Sequence, residues 1–333
     1  MKTSKPIGVA VVGCGLIGRK RAQAFGSARL VVCVDTVRER AEALAQSFNG
    51  AEASSDWQSA VARKDVNVVI VSTTNDALAP VTLAALKVGK PVLVEKPAAR
   101  SVPEIESVIS AAKRAGVPVR VGFNHRYHPA LRQARALFDE GKLGELMFVR
   151  GRYGHGGRVG YEKEWRANPA FSGGGELIDQ GVHLIDLARW FLGDFNDVTG
   201  FAHTYYWKMP VDDNAFMTLK TPSRQVAFLH VSCTEWKNLF SLEIYGKQAK
   251  LHVEGLGGSY GVERLTYYKM LPQMGPPETT VWEYPTGDNS WQLEFQEFLE
   301  DIRLKRTPSA NLDDARAVLK IVGKVYKLSK LHK

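Results

Sequence analysis

Over the first third of the chain, apolar residues fall in short β-branched runs separated by segments of helix length. Ile7–Val12, Leu30–Val34, Val66–Ser72 and Val92–Val94 are almost continuously apolar, and Val117–Phe123 is a further run of the same kind. Between them, Leu16–Phe25, Arg38–Phe48, Ala77–Lys87 and Val102–Ala115 carry helical patterning. Strands alternating with helices predict βαβ units and a parallel sheet. Continuous rather than alternating apolarity predicts that both sheet faces are covered.

After about residue 124 the pattern changes. A helix is expected over Pro129–Glu140 and a strand over Leu146–Tyr153, and a Gly- and Arg-rich loop, His155–Gly175, leads to a strong helix, Glu176–Leu192. Strand-like runs then follow without intervening helices: Phe201–Trp207, Ala215–Leu219, Val226–Cys233, Leu239–Tyr245, Lys250–Val253 and Leu265–Tyr268. Successive strands with short turns predict an antiparallel sheet, open or covered on one side. Two helices, Trp291–Leu304 and Leu312–Leu331, are expected last. The fold class is therefore an α/β doubly wound domain over residues 1–124 and an α+β domain with a large, mostly antiparallel sheet over 125–333.

Composition changes this picture little. The 333 residues are 44% apolar, 24% charged and 10% aromatic, ordinary globular values that exclude a disordered chain, a collagen-like fibre and a coiled coil. The net charge of +9 is modest and spread along the chain, so it permits an anionic ligand without calling for nucleic acid. Cys14, Cys33 and Cys233 have neither metal-ligand nor redox spacing, and buried reduced thiols in a cytoplasmic protein are expected. No apolar run approaches the ~18 residues of a membrane span. Lys2 and Lys5 precede the apolar run Ile7–Val12, which is shorter than the core of a signal peptide.

The first chemical motif is Gly13-Cys14-Gly15-Leu16-Ile17-Gly18, a G-x-G-x-x-G between a strand and a helix. In such a turn Gly13 makes the tight bend, Gly15 admits a pyrophosphate to the backbone, and Gly18 lets helix and strand pack closely. Asp35 ends the next strand, where an acid accepts hydrogen bonds from the adenosine ribose. A carboxylate there repels a 2′-phosphate and favours NAD. Arg38 and Arg40 keep NADP open.

Glu95-Lys96-Pro97 follows the strand Val92–Val94, at the carboxyl end of the strand, where open α/β sheets bind ligands. On the helix Glu176–Leu192, Leu177, Leu184, Ile185, Ala188 and Leu192 share one face and Asp179, His183, Asp186 and Trp190 the other. Asp179 and His183 are four residues apart, and a His beside a carboxylate suits acid–base chemistry near neutral pH. A solvated polar face fits the same spacing. The pair is also half a metal site, but no third ligand is evident and no metal is expected.

With Asn124-His125-Arg126-Tyr127-His128-Pro129 and Gly173-Gly174-Gly175 leading to Asp179-x-x-x-His183, the ordered set of motifs resembles the glucose-fructose oxidoreductase, inositol dehydrogenase and rhizopine-catabolism family. The resemblance covers the whole chain. It implies a Rossmann domain, a second domain whose open sheet packs in a homo-dimer or homo-tetramer, and hydride transfer between a nicotinamide and a sugar or polyol carbon. Lys96, Asp179 and His183 match the catalytic residues, with His183 as proton acceptor or donor. Asp179 either orients His183 or binds a neighbouring hydroxyl. The cofactor site implied includes Gly13, Gly15, Leu16, Ile17, Gly18, Asp35, Arg40, Thr73, Asn75, Glu95, Lys96 and Asn124. The substrate site includes Lys96, Arg126, Arg158, Trp165, Arg166, Asp179 and His183. Relatives also suggest a cis Lys96–Pro97 bond and, as a less favoured role, a cofactor-binding regulator without turnover.

The substrate expectation comes from Arg150–Arg166, which carries Arg150, Arg152, Arg158, Lys163 and Arg166 with Tyr153, Tyr161 and Trp165. Arginines bind phosphate in bidentate fashion and aromatic rings stack on sugars or bases. A nucleotide-linked sugar would use both, and a free inositol or hexose is the alternative.

Overall fold

The computed structural model describes residues 6–330, so Lys2 and Lys5 lie outside the described residues. The chain forms two compact units. The first comprises 1–123 and 291–316 and the second 124–290 and 317–333.

The first unit runs β1 (Gly8–Val12), α1 (Leu16–Gln23), β2 (Arg29–Val34), α2 (Arg38–Ala45), β3 (Glu52–Ser54), α3 (Trp57–Ala62), β4 (Val68–Val71), α4 (Asn75–Lys87), β5 (Val92–Glu95), α5 (Val102–Ala115) and β6 (Val119–Gly122). The strands make one parallel sheet in the order β3-β2-β1-β4-β5-β6. Every residue of β1, β4, β5 and β6 is buried, as continuous apolarity requires of a sheet covered on both faces. The strand order reverses at β1, which pairs with both β2 and β4, and ligands of doubly wound sheets bind at such a switch point. The helix α5 has the expected limits because both ends carry stop signals. Ser101 caps the first turn and Gly116 ends it in the left-handed region.

The sequence pattern missed β3 and α3. β3 is a three-residue edge strand with no apolar run, and α3 is a six-residue helix started by the Asp56 carboxylate, which accepts from the Ser59 N–H at 3.1 Å.

The second unit contains α6 (Pro129–Asp139), β7 (Leu146–Gly154), α7 (Pro169–Ser172), α8 (Val182–Leu192), β8 (Asp197–His203), β9 (Asn214–Lys220), β10 (Val226–Ser232), β11 (Leu239–Gly246), β12 (Ala249–Glu254), β13 (Glu263–Lys269) and β14 (Glu278–Tyr284). The eight strands are ordered β14-β13-β12-β11-β7-β10-β9-β8 and all pair antiparallel except β7 with β10. β11 and β12 alternate buried and half-buried residues, the signature of a sheet covered on one side. α8 lies against β7 and α6 against β13. Phe201, Phe228 and Arg150 are exposed on the strands.

Three differences from the sequence pattern have physical causes. The run Phe201–Trp207 is a strand only to His203, because the backbone N–H groups of Tyr205, Tyr206 and Trp207 turn onto the Asp213 carboxylate. The edge strand β14 is mostly exposed and carries no apolar run. The helix expected over Glu176–Leu192 opens with a wide π-helical turn, Leu177–Gly181, before α8.

Two helices complete the chain: α9 (Ser290–Leu304) and α10 (Leu312–Ser329). A single division after residue 124 does not describe the structure, since residues 291–316 belong to the first unit. Phe295 and Phe298 of α9 are buried with Val9, Val11, Ile70 and Leu93, and Phe295 meets the Phe25 ring at 5.2 Å. Each buried Phe contributes about 1.5–3 kcal/mol relative to exposure. On the same helix, Glu294 and Asp301 pair with the buried Arg21 and Arg120.

Candidate active site

The glycine loop follows β1 directly. Gly13 has φ +95°, and a Cβ there would stand 2.4 Å from the Ser72 carbonyl oxygen. A Cβ on Gly18 would stand 1.9 Å from the Gly13 carbonyl oxygen. Both positions are glycine because the protein's own backbone leaves no room. Gly15 is different, since a Cβ there would meet no protein atom within 4 Å. The fold itself therefore does not require glycine at this position, and the space beside the backbone leaves room for a dinucleotide pyrophosphate. α1 begins at Leu16 with no side-chain cap and no acid in its first turn, so its N–H groups and dipole favour an anion.

Asp35 is fixed beside this loop. One carboxylate oxygen accepts from the Cys14 N–H at 2.8 Å and the other from the Val37 N–H at 2.9 Å. Arg38 is paired with Glu42 at 2.8 Å, and Arg40 is exposed on α2. Of the expected residues after β4, Thr73 is half-buried and Asn75, the first residue of α4, is buried. Glu95 ends β5 with its carboxylate 2.7 Å from the Arg21 Nε donor, so its partner is inside the first unit. Lys96 follows, half-buried, and the Lys96–Pro97 peptide is cis.

The second unit carries the other candidates. Asp179 lies in the π-helical turn and His183 is the second residue of α8, both buried. The wide turn departs from the α-helical spacing assumed for the pair, and such turns recur at functional sites. The turn is held from outside. Asp212 accepts from the Gly175 N–H at 2.9 Å and the Leu177 N–H at 2.7 Å. A Cβ on Gly175 would meet the Asp212 carbonyl oxygen at 1.9 Å, so this close approach requires glycine.

Arg166 Nε donates to Asp179 Oδ2 at 2.9 Å, and its guanidinium lies over the Trp165 ring at 4.5 Å. Asp179 is the main cause of the upward shift of the Arg166 pKa. One turn earlier, the fully buried Glu176 faces His155 Nε2 at 3.5 Å. Burial pushes the Glu176 carboxyl upward against the pull of His155. Burial also disfavours charge on His155, but Glu176 outweighs it and raises the imidazole above its ordinary value. Burial raises the Tyr153 hydroxyl well above the phenol range. The His183 ring stacks on His125 with centroids 3.8 Å apart, and the Tyr153 ring meets His183 edge-on at 6.2 Å. His125 also lies near His128, whose Nδ1 is 2.9 Å from Glu263.

The arrangement offers a buried imidazole, a carboxylate held by arginine and a dense set of hydroxyl, amide and acid groups. That set can hold a polyhydroxylated ring and move a proton from one of its oxygens. Among the described residues no group of three His, Cys, Asp or Glu side chains is placed to hold a metal ion.

Other residues singled out in the sequence have polar partners of their own. Arg126 is bidentate to the buried Asp186, at 2.8 and 2.5 Å, and so anchors α8. Asn124 donates to Ser290 Oγ at 3.0 Å. Arg158 is exposed and pairs with Glu164 at 2.6 Å, and Arg150 pairs with Glu243 at 2.7 Å. Three of the five cations in the stretch that suggested a diphosphate, Arg150, Arg158 and Arg166, therefore already face a carboxylate. Sequence reasoning left out His155, Glu176 and Asp212. Only Glu176, the apolar helix's one charged first residue, gave a signal; the other two act through contacts between distant segments.

Comparisons with known proteins show the family and the fold. The profile described as an oxidoreductase family with an NAD-binding Rossmann fold matches residues 7–123, and the profile of the GFO/IDH/MocA C-terminal domain matches residues 131–252. Levoglucosan dehydrogenase of Pseudarthrobacter phenanthrenivorans is 28% identical over 65% of this chain, a match spanning only 58% of that protein's length. The scyllo-inositol 2-dehydrogenase (NAD(+)) of Bacillus subtilis is 26% identical over 94% of this chain and 91% of its own. The solved structure of a levoglucosan dehydrogenase in complex with NADH shares the fold, with TM-score 0.88 and 21% identity over 98% of this chain and 97% of the other.

Proposed function

The chain belongs to the glucose-fructose oxidoreductase, inositol dehydrogenase and rhizopine-catabolism family, and from that premise we propose that it oxidises a ring secondary alcohol of a sugar or polyol with NAD. The observation that carries this reading is the buried His183 and the arginine-held Asp179 on one wide turn and helix, in a chain whose Gly15 leaves room for a dinucleotide.

Bound nicotinamide supplies the hydride acceptor. His183 accepts the hydroxyl proton, and its burial keeps bulk water from competing for that proton. The Lys96 ammonium stabilises the oxygen as it gains charge. Asp179, aligned by Arg166, accepts hydrogen bonds from a neighbouring hydroxyl and holds the ring in register. Asp35 receives the adenosine ribose. The ion pair of Arg38 with Glu42 supports NAD over NADP.

A free sugar or polyol is preferred to a nucleotide-linked one, because Arg150, Arg158 and Arg166 each already face a carboxylate. The open face of the eight-stranded sheet, with Phe201 and Phe228 exposed, is the proposed surface for a homo-dimer or tetramer. Three buried free thiols, Cys14, Cys33 and Cys233, support a cytoplasmic enzyme. The test is nicotinamide absorbance with a panel of inositols, hexoses, simple glycosides and UDP- or dTDP-sugars. Turnover confined to the nucleotide-linked compounds overturns the substrate preference, and no turnover with any compound overturns the enzyme reading.

A further inference from the structure

We propose that Tyr205, Tyr206 and Trp236 form a stacking platform for a second sugar ring, so that the preferred substrate is a glycoside of two or more rings. The proposal rests on the sugar oxidoreductase reading and narrows its substrate class.

These three side chains are 61%, 56% and 69% exposed, yet the backbone that carries Tyr205 and Tyr206 is fixed by hydrogen bonds. The Asp213 carboxylate accepts from the N–H groups of Tyr205, Tyr206 and Trp207 at 2.9, 2.8 and 3.1 Å. Trp207 Nε1 donates to the Cys233 carbonyl oxygen at 2.9 Å. Trp236 has φ +57°, a left-handed conformation in which a bulky residue is strained and glycine is not. A large aromatic is thus held at the surface against backbone preference. Burying it in the core is not the reason, since it is the most exposed ring of the group.

The platform is continuous with the candidate site. Trp236 meets Tyr206 edge-on at 4.8 Å, and Tyr206 meets Trp207 at 5.2 Å. Trp207 meets Tyr161 at 5.5 Å and Tyr161 meets His155 at 5.6 Å. His155 faces Glu176, which leads into the turn bearing Asp179. An unbroken line of rings therefore runs from the acidic cluster to the surface. The loop after β8, the turn between β10 and β11, and the segment after β7 that leads to Asp179 all leave the sheet at one end. That places the platform off the open sheet face.

The chemistry favours a neutral carbohydrate. A pyranose presents a C–H face to an aromatic ring and hydroxyls around its rim. A nucleotide would bring phosphate charge, and the arginines of the intervening segment, Arg158 and Arg166, are paired with Glu164 and Asp179.

The test compares wild type, Tyr206→Ala, Trp236→Ala and Trp236→Phe in the full chain with saturating NAD. Glucose is compared with cellobiose, maltose and trehalose. The expected result is that at least one disaccharide has a lower KM than glucose. Each alanine variant should then raise that KM by ~10-fold, the size of one lost stacking contact, with glucose kinetics unchanged and Trp236→Phe near wild type. Equal effects on glucose and disaccharides, or no disaccharide preference in wild type, overturn the platform. If wild type turns over no sugar, the functional reading has failed. Calorimetric titration of the NAD-loaded protein with the same disaccharides then decides the platform: binding weakened by Trp236→Ala supports it, and absence of binding overturns it. Light scattering completes the test, because a loss of subunit association in the alanine variants would mark an interface between copies and overturn the proposal.

Discussion

The imidazole of His183 lies flat against that of His125, with ring centroids 3.8 Å apart and planes 25° from parallel. His125 is itself fixed, its Nδ1 3.3 Å from the Asn124 amide oxygen and its ring met edge-on by Tyr153 at 5.2 Å. The stack therefore sets the plane in which the proposed base presents its nitrogen. His183→Asn should lower turnover by ~10²-fold or more with NADH affinity unchanged. His125→Ala should lower kcat by roughly tenfold or more, because a small misplacement of a reacting group is costly, and His125→Phe should restore most of it. Steady-state kinetics with cofactor titration checks both, and a wild-type rate in His125→Ala removes the stack from the reaction.

Gly15 and Gly18 separate cofactor binding from folding. A side chain at Gly18 collides with the Gly13 carbonyl, whereas one at Gly15 meets no protein atom. Gly18→Ala should lower the melting temperature markedly. Gly15→Ala should leave it near wild type and weaken NAD binding by tenfold or more, ~1.4 kcal/mol. Thermal unfolding of the cofactor-free protein and a fluorescence titration give the two readouts. Equal loss of stability in both variants would refute the assignment of Gly15 to the pyrophosphate.

Asp35 bears on the choice of nicotinamide. Its carboxylate is fixed by the Cys14 and Val37 N–H groups and cannot swing aside to admit a 2′-phosphate. NAD should bind more tightly than NADP, and Asp35→Ser should narrow or invert the difference. A wild-type preference for NADP, measured by the same titration, would instead implicate Arg40 or release of Arg38 from Glu42.

The parts of this structure legible in the sequence are those governed by local periodicity. The strands β1, β2, β4 and β5 are short, almost continuously apolar runs rich in valine, and Ser101 and Gly116 mark the two ends of α5. The parts that were not legible depend on distant partners. Nothing near residue 177 announces that Asp212 will take its N–H and help shape a π-helical turn. Nothing in Trp291–Leu304 separates its apolar face from that of any amphipathic helix, so its placement with Phe25 in the first unit was hidden. The arginines from 150 to 166 read as a cationic cluster because their acids, Glu243 and Asp179 among them, lie on other elements.

Arg21 joins two of those distant pieces. Its side chain is wholly buried between Glu95 and Glu294, with the Trp291 ring 4.5 Å from the guanidinium carbon. Arg21→Met leaves the Glu294 carboxylate buried without its cation, which typically costs about 3–5 kcal/mol. The double variant Arg21→Met/Glu294→Leu removes both charges and should recover part of that loss. Chemical denaturation of the three proteins measures the difference, and a double variant no better than the single one would show that packing rather than charge is at stake.

The His155–Glu176 pair gives the protein a particular response to pH. Burial raises the Glu176 carboxyl above its ordinary 4.5, and Glu176 raises His155 above its ordinary 6.5. Both groups therefore bind protons more tightly in the native state than in the unfolded chain. Stability from such groups is present at low pH and is lost as pH rises through the native values. The loss contributed by this pair begins near pH 4.5 and ends above 6.5. Glu176→Gln cannot titrate and removes the partner that raises His155, leaving burial to push that imidazole downward. The difference in melting temperature, wild type minus Glu176→Gln, should thus fall steadily from pH 5 to pH 8.5, while contributions from groups that do not interact with Glu176, Glu294 among them, cancel in the subtraction. Calorimetric scans across that range provide the measurement. A difference that is flat or rises with pH would mean that Glu176 is ionised and well compensated, and that its contact with His155 at 3.5 Å is an ordinary ion pair.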